Sequence, residues 1–243
     1  MLFRRTIAFS LGIVVVLLSS ACNNDEPRRI VGSEITIPAP AEPGSAQTIG
    51  LHGFERGEGP VGVVLAHMLG STQDAWILFV EELVKQDFHV LTFDFRGHGL
   101  SGGERNPSLA ALDLGAAVER LRALGVSKIF VIGASMGGTA ALVVAAGQML
   151  EGVVTISAPL SIDRLDANEA VGMLDEPSLF IVGENDDKRY TEAAERFATL
   201  TPAPKRLQVI DGSAAHGTDL LTEEAERQRV TDLIMDFLVT NRG

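Results

Sequence analysis

The sequence holds a single cysteine, Cys22, in 243 residues, so no disulfide can form within the chain. It is also short of positive charge: 20 Lys and Arg against 32 Asp and Glu give a net charge of −12. A chain of that sign has little with which to neutralise phosphates, which argues against nucleic acid as a partner. No fixed-period repeat runs along it, and its length suits one domain with a substantial core. Its longest apolar run, from Ile7 to Leu18, is too short for a comfortable membrane span.

That run sits in a secretory signal layout. Arg4 and Arg5 precede it, and Ser19-Ser20-Ala21 follow it directly before Cys22. A cysteine behind small residues resembles a bacterial lipobox, whose cleavage leaves a lipid-modified N-terminal cysteine. One position departs from such boxes: Ser19 stands where leucine is usual, with Leu18 one place further back. The expected organisation is a signal peptide over 1–21, a lipid-anchored tether over 22–32 and one folded domain over 33–243. Losing Arg4 and Arg5 would move the net charge from −12 to −14. Acyl chains on Cys22 would hold an exported protein to a membrane of the cell envelope. The alternatives are an ordinary signal peptide, giving a secreted or periplasmic soluble protein, and an uncleaved membrane anchor.

Beyond the tether, "SEITIP" alternates like a strand and "QTIGLHGF" could pair with it across a Pro- and Gly-containing turn. From residue 60 onward, short apolar runs recur at 61–67, 89–95, 128–134, 152–158, 178–184 and 206–211. Near-continuous runs of this kind belong to parallel strands covered on both faces. Helical spacing fills the gaps, with Trp76, Phe79, Val80, Leu83 and Val84 as one stripe and Leu112, Leu114, Val118, Leu121 and Leu124 as another. An alanine-rich segment at 138–149 and helical patterns at 190–200 and 220–239 complete the set. Strand–helix alternation predicts a mostly parallel sheet flanked by helices, with any ligand beyond the C-terminal ends of the strands.

The residues at those ends carry chemistry. "GASMGG" places Ser135 between Gly133 and Gly137 at a strand-to-helix turn. In G-x-S-x-G the glycines relieve crowding at a strained corner that lifts the hydroxyl above the sheet. A plain corner that happens to contain serine is the alternative. No G-K-[ST] follows, so a phosphate-cradling loop is disfavoured. Serine needs a base, and His216, in the small-residue loop "DGSAAHGTDL", is the candidate. His67 ends its strand beside the site and reads as a brace, His98 as a turn residue, and His52 and His89 as structural or exposed. "GENDD" supplies the orienting acid: Asp186 is favoured over Asp187, and Glu184 is a weaker candidate.

The sequence resembles the α/β-hydrolase superfamily over residues 33–241. The resemblance rests on the alternation, the turn "GASMGG", the order Ser135, Asp186, His216, the segment "DFRGHGLSGG", and "LAHMLGSTQDAW", which is similar to the oxyanion loop. It implies a Ser-His-Asp triad, with an oxyanion hole built from the backbone N–H of Met136 and of Leu69. The family commonly reads H-G-x there; Met68 replaces the glycine, so Met68 itself is the alternative donor. Only 160–176 lies where many members insert a cap, room for one short helix around 166–174. The expected site is therefore nearly lidless, bounded by Met68, Leu69, Met136 and Leu160. The activity implied is hydrolysis of carboxylic esters or thioesters through an acyl-enzyme, on a small-molecule ester or acyl substrate, with no metal or organic cofactor. A peptidase or amidase with the same triad is one alternative, and a non-catalytic binding lipoprotein another.

Overall fold

The computed structural model describes residues 32–243. The signal-peptide and Cys22 expectations lie outside them, as does nearly all of the tether. Among the described residues no helix is long and apolar enough to cross a membrane.

Eight strands form one sheet. They are β1 (Ser33–Pro40), β2 (Thr48–Arg56), β3 (Val61–Ala66), β4 (Phe88–Phe93), β5 (Lys128–Ala134), β6 (Gly152–Ile156) and two later strands, labelled β9 and β10 after a small hairpin. The hairpin pairs β7 (Ser161–Ile162) with β8 (Leu165–Asp166), and β9 (Ser178–Gly183) and β10 (Lys205–Ile210) follow. The order across the sheet is β1-β2-β4-β3-β5-β6-β9-β10. The first two strands pair antiparallel, with Ile37 opposite Leu51, and β2 runs antiparallel to β4. All remaining neighbours are parallel.

Among the described residues five α-helices cover the sheet: α1 (Ile77–Lys85), α2 (Ala110–Ala123), α3 (Met136–Ala145), α4 (Lys188–Leu200) and α5 (Glu224–Asn241). The period-2 alternation of each strand divides its side chains between two cores. In β5, Ile129 and Val131 join the core under α2, α3 and α4, whereas Phe130, Ile132 and Ala134 join the core under α1 and α5. The alanines of α3 let that helix lie close to the sheet, and Ala140 and Ala141 are fully buried.

One expectation needs correction. Between β6 and β9 there is no helix spanning 166–174, but the hairpin β7–β8 and a single 3-10 turn at Ala170–Met173. Leu165 and Asp166 are spent on the hairpin pairing, and Asp166 accepts from the Asn168 N–H. The apolar stripe of α2 also conceals a polar member: Asp113 is fully buried and pairs with Arg96 at 2.6 Å. Arg96 donates further to the carbonyls of Pro40 and Ala41, so this buried pair ties the turn after β4 to α2 and β1.

Candidate active site

The turn after β5 places Ser135 at φ 48°, ψ −116°, a left-handed conformation that costs a non-glycine residue strain. Its neighbours explain how it is held. A Cβ on Gly133 would overlap the Gly137 carbonyl, and one on Gly137 would overlap the Ala66 carbonyl at the end of β3. Only glycine at both places lets α3 start this close to the sheet. The corner is anchored by the Ser135 N–H, which donates to Ile156 O at 2.8 Å.

The loops after β9 and β10 are joined to each other. Asn185 N–H donates to Ser213 O at 2.7 Å, and Glu184 N–H to Ile210 O at 3.0 Å. That junction brings Asp186 to His216, whose Nδ1 lies 3.0 Å from one carboxylate oxygen and 3.2 Å from the other. The Asp186 side chain is 4% exposed, so its carboxylate is shielded from competing water. The neighbouring acids are engaged elsewhere. Asp187 accepts from the Arg189 N–H and caps α4, and Glu184 accepts from the Gly212 N–H at 2.7 Å. Ser135 and His216 line one cleft of about 370 Å³.

The loop after β3 supplies the facing wall. His67 is buried, and burial pushes its pKa down to about 4, leaving it neutral. Its Nε2 accepts from the Phe95 N–H at 3.0 Å, so the proton sits on Nδ1, which donates to the Met68 carbonyl at 2.8 Å. The Ser71 N–H donates to that same carbonyl at 3.1 Å. Because a trans peptide is planar, fixing the Met68 carbonyl on the His67 side aims the Leu69 N–H the opposite way. Neither the Leu69 nor the Met136 N–H has a backbone acceptor among the described residues. The Met68 side chain accounts for the missing glycine: its sulfur packs against Gly217 and lies 3.8 Å from the Thr218 hydroxyl. Met68 thus wedges the loop after β3 against the loop that carries His216.

His98 bridges two of these turns, with Nδ1 at 3.0 Å from Arg96 O and Nε2 facing the Gly70 N–H. Asp94 accepts from the Gln73 N–H at 2.9 Å and so ties the turn after β4 to the end of the loop after β3.

The cleft walls differ from the expected ones. Met68 and Leu69 line it, but Met136 is buried beneath Ser135 and Leu160 packs inward on the core. Pro159, Ser161 and Ile162 take their places, because the hairpin β7–β8 folds over the site. Arg189 and Tyr190 complete the lining and escaped the sequence reading. Tyr190 sits at helical spacing among core residues of α4, and nothing local reveals that its ring rests 4.2 Å from that of His216.

Comparison with known proteins agrees with this architecture. The family described as "Serine aminopeptidase, S33" matches residues 61–172, a stretch that holds Ser135 but neither Asp186 nor His216. Among solved structures, an esterase of Pyrococcus furiosus superposes with a TM-score of 0.72 at 21% identity, covering 89% of this chain and 94% of that one. A thermophilic esterase of Thermogutta terrifontis gives 0.71 at 21%, with coverage of 87% and 100%. A monoacylglycerol lipase of Paleococcus ferrophilus gives 0.69 at 20%, with coverage of 79% and 99%. No curated protein sequence matches the chain. These likenesses establish the α/β-hydrolase fold.

Proposed function

We propose that this chain, an α/β-hydrolase by fold, is a serine hydrolase that cleaves carboxylic esters or thioesters through an acyl-enzyme. The observation that carries this reading is His216, paired with the shielded Asp186, opening onto the same cleft as the strained Ser135. In the proposed cycle His216 Nε2 takes the proton from the Ser135 hydroxyl as its oxygen bonds to the ester carbonyl carbon. Asp186 holds the imidazole through Nδ1 and stabilises the imidazolium without taking the proton. The N–H groups of Met136 and Leu69 receive the negative oxygen of the tetrahedral intermediate, a donor there being worth on the order of 10²–10³ in rate. His216 then returns the proton to the departing oxygen or sulfur, and a water activated by the same imidazole releases the acid from Ser135. The esterases and the lipase among the structural neighbours favour an ester as substrate.

A peptidase or amidase reading draws support from the description of the matched family. An aminopeptidase must hold a free α-ammonium group, and no residue lining this cleft carries a carboxylate. That lining favours the ester. Export and anchoring through an acylated Cys22 belong to the same proposal, on the sequence pattern before that residue.

Labelling with a fluorophosphonate probe tests the assignment. The wild-type protein is expected to react at Ser135 and the Ser135→Ala variant to remain unlabelled. Failure of the wild type to label, or equal labelling of the variant, overturns it and leaves a non-catalytic binding protein. Parallel assays with para-nitrophenyl acetate and an aminoacyl para-nitroanilide then separate ester from amide cleavage.

A further inference from the structure

The cleft has one feature that ester hydrolysis does not itself require. Arg189, in the first turn of α4, lines it beside Tyr190 and His216. The guanidinium carbon stands 4.6 Å from the centre of the Tyr190 ring, and that ring lies 4.2 Å from the His216 ring at an interplanar angle of 40°. Together these separations put a fixed positive charge within roughly 9 Å of the imidazole centre. The side chain is 67% exposed, so a ligand can reach it. Its acidic neighbour Asp187 lies 3.8 Å away, beyond hydrogen-bond reach, and spends an oxygen on capping α4.

The surrounding charge makes this placement selective. The chain carries a net charge of −12, whereas the cleft lining holds Arg189 and no carboxylate. A cation in a cleft whose lining has no carboxylate is a local attractor for anions. Its planar fork suits the two oxygens of a carboxylate, and the Tyr190 face holds the guanidinium beside the cleft.

We propose that Arg189 selects esters whose alcohol portion carries a carboxylate. This rests on the serine hydrolase reading above. The alcohol side follows from the chemistry of proton return: His216 protonates the departing oxygen, so the leaving group lies against the imidazole. Tyr190 and Arg189 extend the cleft from that same ring. A rigid leaving group such as para-hydroxybenzoate spans from the scissile oxygen toward the guanidinium.

The test compares kcat/KM for para-acetoxybenzoate with that for its neutral amide, para-acetoxybenzamide, in the full-length protein. Both esters give the same acetyl-enzyme, so the ratio reports recognition of the leaving group. The wild type is expected to favour the carboxylate, with the preference expressed in KM and eroded by high salt, since the arginine is exposed. Arg189→Gln should lower the ratio about fivefold, the scale of an exposed ion pair, and Arg189→Glu should lower it further. Asp187→Asn should raise the ratio by removing the competing carboxylate. A ratio that Arg189→Gln leaves unchanged, while both esters are still hydrolysed, overturns this inference and leaves the hydrolase reading standing. If Arg189→Gln alters instead the ratio of para-nitrophenyl hydrogen succinate to para-nitrophenyl butanoate, the alcohol-side placement is overturned. Hydrolysis of neither ester, with no fluorophosphonate labelling, overturns both readings.

Discussion

His216 Nδ1 meets the Asp186 carboxylate at 3.0 Å, while Asp187, the next residue, turns to the Arg189 N–H and closes the first turn of α4. Two adjacent aspartates therefore do different work: one is shielded against an imidazole, the other is exposed at a helix cap. Substituting each by asparagine should separate them. Asp186→Asn is expected to lower kcat on para-nitrophenyl acetate by on the order of 10³–10⁴, and Asp187→Asn to leave it within about twofold. Equal losses would show that the orienting role is shared.

The buried His67 makes stability depend on pH. Its folded pKa is depressed to about 4 from 6.5, so between those values the unfolded chain binds the extra proton. Stability from this group is complete above the unfolded pKa and declines as pH falls toward 4, by up to about 3 kcal/mol. Urea unfolding at a series of pH values should show a shallower slope across that window for His67→Gln than for the wild type. The variant should also lose rate on para-nitrophenyl acetate, because the Met68 carbonyl keeps only the Ser71 N–H as a donor and the Leu69 N–H is held less firmly.

Asp113 and Arg96 form an ion pair whose side chains are 0% and 5% exposed. Removing one partner leaves an uncompensated buried charge, so Asp113→Asn should cost about 3–5 kcal/mol. The double variant Arg96→Met, Asp113→Leu should lose less than the two single substitutions combined. Denaturant midpoints of the four proteins measure the coupling directly.

Gly137→Ala should damage the site more than the fold. The added methyl overlaps the Ala66 carbonyl, so the start of α3 must move away from β3 and carry the Met136 N–H with it. The expected result is a loss of about 10² in fluorophosphonate labelling rate, the scale of one displaced oxyanion donor, with far-UV circular dichroism preserved.

Cys22→Ser tests anchoring. The wild type, expressed in a bacterial host, should incorporate labelled palmitate and sediment with membranes. The variant should do neither, and a wild type found wholly in the soluble fraction would favour the ordinary signal peptide.

Much of the fold was legible because its signals are local. Strands such as "KIFVIGA" are apolar from their second residue on, as strands covered on both faces must be, and the stripe from Trp76 to Val84 repeats at helical spacing. Ser135 was legible for a related reason: its glycines at minus two and plus two answer steric demands within one turn. The cap was misread because 166–174 has the length of a helix, while the chain there spends its hydrogen bonds on a hairpin and a 3-10 turn. Asp113 was hidden because its partner Arg96 belongs to another element.

The sequence by itself determined the alternation of strands and helices, the strained corner at Ser135 and the small-residue loop that bears His216, since each depends on neighbours within a few residues. Only the tertiary structure decided which aspartate faces His216, which residues wall the cleft, and that Arg189 lies beside it. Those outcomes depend on how the loops after β5, β9 and β10 converge beyond the C-terminal ends of the parallel strands. Contacts between separate loops have no period or spacing to betray them, because they are set by the packing of the elements beneath.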